Sequence, residues 1–196
     1  MKEELKKQPA TALLLLFNIL IFVLVEMTDT SQDALHMRNC GAVYVPYILE
    51  KGEIWRLFVS MFLHFGMEHM LNNLLLLFVL GTRLERTVGK SRFLCIYLLG
   101  GLAGNLLSLF VEIKTGSFSI SAGASGAVYA LMGALLFVLL KNKGKVQDLS
   151  VRQMAILAAC SLYFGLVSTG INQAAHIGGI VSGFLLAPIF FRGITH

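Results

Sequence analysis

Charge is scarce in this chain: 14% of its 196 residues are Asp, Glu, Lys or Arg, while 56% are hydrophobic and the mean hydropathy is +0.75. A soluble domain of this length cannot bury so much apolar surface, so the surplus faces lipid. Cysteine is sparse too. Cys40, Cys95 and Cys160 are odd in number and far apart, which supports neither a disulfide framework nor a metal knuckle and leaves them as packing residues. No internal repeat is visible, which argues against a small transporter built from repeated halves. The net charge of +5 does not mark a nucleic-acid binder, because the basic residues are scattered over chain positions where apolar runs end.

What is abundant is apolar sequence in long runs. A bilayer core about 30 Å thick takes roughly 20 mostly apolar residues per helical crossing. Six such stretches are expected, near 10–25, 67–80, 93–111, 124–140, 154–167 and 174–191, with a first loop at 26–65 outside the cytoplasm. The expectation is an all-α polytopic membrane protein, a single domain over 1–196 folded as a six-helix bundle. MKEELKK followed by an apolar run resembles a signal peptide, but Glu26, Met27 and Thr28 follow Val25 where a small-residue cleavage site belongs, so the run reads as a retained first span.

Basic residues orient the bundle. Lys2, Lys6, Lys7, Arg83, Arg86, Lys90, Arg92, Lys141, Lys143, Lys145, Arg152 and Arg192 fall on one side of a six-span arrangement, 12 of the 16 Lys and Arg. Arg38, Lys51, Arg56 and Lys114 fall on the other, so the positive-inside rule places both termini in the cytoplasm. Trp55 and Arg56, within Gly52-Glu53-Ile54-Trp55-Arg56, read as an interfacial anchor at headgroup level.

Polar side chains inside spans are costly and need a reason, since insertion scales charge about 2.5–3.5 kcal/mol for an ion at mid-helix. Here they are His64, His69 and Asn73 at the start of the second span, Ser125 at the start of the fourth and His176 at the start of the sixth. All fall at non-cytoplasmic helix ends, where one wet cavity can hold them. His69 and Asn73 share a helix face, about 40° apart, whereas His64 lies about 140° from His69 and is poorly placed to chelate with it. HFGMEH is neither zincin motif, so no metal and no cofactor is expected. His64 reads as a hydrogen-bonding tie between the preceding loop and the helix start.

Ser125 opens a helix among small residues, where unpaired backbone N–H groups and the helix dipole favour negative charge. It equally suits an N-cap role, with Gly123 and Gly126 permitting close packing. It is not the soluble-hydrolase elbow, because Ala127 stands where Gly-x-Ser-x-Gly needs glycine. In the sixth span His176, Gly179 and Gly183 share a face, and Ser125, Tyr129 and Gly133 form a stripe on the fourth. If the stripes meet, His176 reaches Ser125, and Tyr129 packs on the imidazole ring. Glu26, Glu68, Glu85 and Glu112 lie at span ends, so no third acid is expected.

In order along the chain stand Gly52-Glu-x-Trp55-Arg56, His64-x4-His69-x3-Asn73, Gly81-x3-Glu85-x3-Gly89, Gly123-Ala-Ser125-Gly126 and Ala175-His176-x2-Gly179-x3-Gly183. The set resembles the rhomboid intramembrane serine proteases of the compact six-span bacterial kind. The resemblance implies Ser125 as nucleophile and His176 as general base, with His69, Asn73 and the Ser125 N–H as the oxyanion hole. It implies a bacterial cytoplasmic membrane location, single-pass membrane-protein substrates entering sideways from the bilayer, and cleavage after a small residue near the outer end of the spanning helix. Appended soluble domains or a seventh span are not expected. The movable wall is placed at the fifth span, around Phe164 and Gly165. A non-catalytic rhomboid-like chaperone that binds spanning helices is the rival.

Overall fold

The computed structural model describes residues 7–167 and 172–191, and their side chains except those of residues 160 and 162–167. Lys2, Lys6 and Arg192 lie outside the described residues, as do the side chains of Cys160 and Phe164 and the surroundings of Gly165. Six long helices carry the fold: α1 (Pro9–Glu26), α5 (Gly66–Val88), α6 (Lys90–Thr115), α7 (Ser125–Lys141), α8 (Val151–Val167) and α9 (Gln173–Phe190). Among the described residues three of them, α1, α6 and α9, are long and apolar enough to cross a membrane. A fourth crossing counts if the segments Arg56–Phe62 and Gly66–Val88, bent by 88°, form one span. α7 is apolar but has only 17 residues.

The first loop is not irregular. Three short helices fill it, α2 (Ala34–Cys40), α3 (Val45–Lys51) and α4 (Arg56–Val59), the last running into a 3-10 turn at Ser60–Phe62. Asp33 caps α2 by accepting from the His36 N–H, and Gly41 ends it in a left-handed conformation. Arg56 corrects the anchor reading: it is 4% exposed, its guanidinium sits on the rings of Tyr47 and Trp55, and it donates to Glu53 and to the carbonyls of Arg38 and Ala42. A buried arginine whose Nε and Nη1 donate within its own loop binds that loop together. Trp55, 48% exposed, keeps the outward position.

The Gly81-x3-Glu85-x3-Gly89 pattern joins the first helix to the bundle. α1 begins with Pro9 and has no side-chain cap of its own. Its orphan N–H groups are taken by Glu85 of α5, whose carboxylate accepts from Ala10 N at 3.0 Å and from Thr11 N and Oγ1 at 2.7 Å each. A side chain at Gly81 would press on Thr11, and Gly89, at φ +84°, makes the turn into α6.

α7 is the central helix, buried on nearly every face from Gly126 to Leu139, which is why its sequence is apolar all round. It is gripped by α6 and α9 through glycines. A methyl built on Gly183 would land in the Ala130 carbonyl, one on Gly179 in the Gly126 carbonyl, one on Gly133 in the Ile180 carbonyl, and one on Gly100 in the Ala130 side chain. Backbones this close draw their attraction from van der Waals packing, as helices in lipid must. A hairpin of two-residue strands, Lys145–Val146 and Leu149–Ser150, departs from the all-helical expectation and links α7 to α8. Asp148 at its turn takes two hydrogen bonds from the Arg83 guanidinium at the end of α5.

Candidate functional site

The site is set by where α7 starts. The segment before it runs extended: Ser121 pairs with Val43 in a two-bond antiparallel bridge, Gly123 N–H donates to the Ser60 carbonyl at 2.9 Å, and Ala124 N–H donates to His64 Nε2 at 3.3 Å. All three partners belong to the first loop. Ser60 is in turn fixed by Asn105 of α6, which donates to the Ser60 hydroxyl and the Leu57 carbonyl. Ser125 follows as the first helical residue, so its N–H has no intrahelical acceptor.

His176 lies in the first turn of α9 and is 5% exposed. Its Nε2 is 2.8 Å from Ser125 Oγ, and its ring stacks on Tyr129 with centroids 4.1 Å apart and planes 13° from parallel. Among the described residues no protein group pairs with His176 Nδ1, and no acid stands behind the ring. For Nε2 to accept the serine proton, the neutral ring carries its hydrogen on Nδ1. What holds the imidazole is therefore the Tyr129 face on one side and the placement of the α9 backbone on the other.

Beside the serine lies Gly123, at φ +150°. The point where a Cβ would stand on Gly123 is 2.9 Å from His69 Cε1, 3.1 Å from His69 Nε2 and 3.7 Å from Ser125 Oγ. Glycine leaves that space open, and one small atom placed there meets the serine oxygen and the His69 ring together. Asn73 is 5% exposed one turn below, with its Nδ2 donating to the His69 carbonyl at 2.9 Å, which leaves the second amide hydrogen available. His64 packs edge to face on His69 at 5.4 Å and sends its Nε2 to the start of α7, not to α5.

Ser125, His176, Tyr129, His69, Gly123 and Gly126 thus meet at one end of the bundle, with Asn73 just beneath. Gly179 and Gly183 serve at a distance: they bring α9 against α7 so that His176 arrives in register. The partners of those glycines differ from the stripe expected in the sequence. Gly179 meets Gly126 and also the Tyr129 Cβ, Gly183 meets Ala130, and the Tyr129 ring faces the imidazole. Sequence reasoning missed a third set, Gly100, Gly101 and Gly104 on α6. Gly104 admits the Ala175 carbonyl, and Gly101 admits Ala127 and Met61. The small-xxx-small spacing of Gly100 and Gly104 is the signal in the sequence. Among the described residues no group of three His, Cys, Asp or Glu side chains is placed to hold a metal ion.

Comparison with known proteins covers most of the chain. The family model described as "Rhomboid domain" matches residues 51–193. The chain is 35% identical to rhomboid protease GluP of Bacillus subtilis (strain 168) over 92% of its own length and 34% of that protein's. It is 34% identical to putative rhomboid protease YdcA of the same organism, over 69% of the chain and 67% of the relative. RHOMBOID-like protein 1 of Arabidopsis thaliana shares 36% over 81% of the chain and 40% of the relative. The chain therefore spans between a third and two fifths of the length of GluP and RHOMBOID-like protein 1.

Proposed function

Since the chain belongs to the rhomboid family of membrane proteins, we propose that it is an intramembrane serine endopeptidase working through a Ser125–His176 dyad. The observation that carries the reading is the 2.8 Å contact between Ser125 Oγ and His176 Nε2. A serine hydroxyl is a weak nucleophile until a neighbouring base accepts its proton. As Oγ attacks the scissile carbonyl carbon, His176 Nε2 takes that proton and negative charge develops on the carbonyl oxygen. The open space beside Gly123 receives this oxygen. There the Ser125 N–H, the His69 ring and the Asn73 amide are the donors, aimed at charge that exists only in the transition state. Collapse breaks the C–N bond, and His176 returns the proton to the leaving amine. Water then attacks the acyl-enzyme, His176 again accepting and returning a proton.

The six long helices serve as six spans, with both termini cytoplasmic and the site near the opposite face of a bacterial cytoplasmic membrane. Seventeen residues extend α7 by about 25 Å, short of a hydrocarbon core about 30 Å thick, which suits a serine recessed below the surface. The partners on this reading are the bilayer and single-pass membrane proteins. A spanning helix protects its own carbonyls by hydrogen bonding, so it must unwind locally to be cut, and helix-breaking residues near its end assist. Among the described residues, α8 touches α7 and the adjoining hairpin, and it is the helix proposed as the movable wall.

The test is labelling by a fluorophosphonate probe in detergent together with cleavage of a model single-span substrate. The parent labels and cleaves, whereas Ser125→Ala and His176→Ala, folded by circular dichroism, do neither. The rival, a chaperone that only binds spanning helices, gives substrate co-purification without product and an unlabelled parent, and that result would remove the dyad assignment.

A further inference from the structure

We propose that Asn172 is a positioning residue that joins the two halves of the dyad, an inference that rests on the serine-protease reading above. Asn172 is the N-cap of α9, and its Oδ1 accepts the Ala175 N–H at 3.1 Å, so it fixes the turn that delivers His176. Its carbonyl accepts the His176 N–H at 3.3 Å. The same side chain reaches outward: Nδ2 donates to the hydroxyl of Ser108 on α6 and, at 3.4 Å, to the hydroxyl of Ser121. Ser108 is 2% exposed, so the α6 end of this tie is sealed from water. Ser121 lies in the extended segment that runs into Ser125 and is itself pinned to Val43 by two backbone bonds.

One amide therefore bonds the helix that carries the base, the extended segment that leads into the nucleophile and the glycine-rich helix behind both. A simple helix cap needs only the oxygen. The donor half of the amide is committed to groups on other elements, and this distinguishes Asn172 from an N-cap serine or threonine. The arrangement matters because His176 Nδ1 has no partner among the described residues. In a triad an acid would hold the ring; here the ring inherits its orientation from the backbone turn that Asn172 sets. Misplacing reacting groups by about 1 Å can cost on the order of 100-fold in rate, so loss of this tie is felt in turnover before it is felt in substrate binding.

The experiment compares the parent with Asn172→Ala and Asn172→Asp, using the rate of fluorophosphonate labelling and the kcat and KM for cleavage of a model single-span substrate. Asn172→Ala is expected to lower kcat and the labelling rate together by about 10-fold or more, with KM within about twofold. Asn172→Asp is expected to restore both to within about threefold. Its carboxylate still accepts from Ala175 N–H and accepts from the two serine hydroxyls, which then act as donors. If Asn172→Ala does not fold, Ser108→Ala with Ser121→Ala leaves the cap intact, and a rate loss of several-fold at unchanged KM is expected there. A parent that labels alongside an Asn172→Ala or double-serine variant labelling at the same rate overturns this inference alone. A parent that does not label overturns the protease reading instead.

Discussion

Replacing Gly123 by alanine adds one methyl group at the point where the proposed mechanism needs empty space, and the structure separates its two effects. The first is backbone strain, because Gly123 sits at φ +150°, where L side chains are disfavoured by about 1–3 kcal/mol. The second is occlusion: the methyl carbon would lie 2.9 Å from His69 Cε1 and 3.7 Å from Ser125 Oγ, inside the volume assigned to the carbonyl oxygen. Strain lowers stability without touching the chemistry, whereas occlusion denies the oxyanion its donors, a loss of about 100 to 1000-fold in kcat for a single donor. Gly116→Ala supplies the control. Gly116 also has positive φ, +67°, but a Cβ there meets nothing within 4 Å, so it carries strain alone. The expected pair of results is two folded proteins with similarly reduced resistance to denaturant, of which Gly116→Ala cleaves at the parental rate and Gly123→Ala is slowed at least about 100-fold. Cleavage by Gly123→Ala within a few-fold of the parent would show that the carbonyl oxygen goes elsewhere.

Tyr129→Phe keeps the ring on the imidazole and is expected to cleave within about threefold of the parent. Tyr129→Ala removes a stacked contact of about 0.5–1.5 kcal/mol and is expected to lose roughly 2 to 10-fold in kcat, measured in the same substrate assay. At the opposite end of the bundle, Arg83 hydrogen bonds hold the Asp148 carboxyl below the ordinary carboxylate range. A depressed acid stabilises above its unfolded pKa and loses that contribution as pH falls through the folded value. The Asp148 side chain is 69% exposed, so the gain is screened and stays below about 1 kcal/mol. Denaturant unfolding should show the parent slightly more stable than Asp148→Asn near neutral pH, with the two converging below about pH 4.

The six long helices lie on sustained apolar runs of the sequence, and α5 is longer than its run suggested. That helix continues to Val88, well past the expected 80, because Arg83, Glu85 and Arg86 look like loop residues until their partners are known. Glu85 is buried against the start of α1, and Arg83 reaches the hairpin. Likewise, spacing alone could put Ser125, His176 and Tyr129 on facing stripes, since i, i+4 geometry is local. It could not show that Ser60, His64 and Val43 hold the strand before Ser125, because those bonds join residues about 60 to 80 positions apart and leave no periodic trace. The burial of Arg56 was hidden for the same reason. Its acceptors include two backbone carbonyls, and backbone acceptors have no sequence signature.

The strand that leads into α7 has given the N–H groups of Ser121, Gly123 and Ala124 to a segment drawn from the opening third of the chain. The amide of Ser125, the proposed nucleophile, is thus singled out by subtraction, as the next donor in line once its predecessors are occupied. Cutting the polypeptide between Phe65 and Gly66 and pulling away the leading piece would take α1 and all three of these acceptors from the helices that carry the serine and histidine. It would not leave anything to say which amide faces the reacting carbonyl, so the two pieces should regain turnover only when recombined.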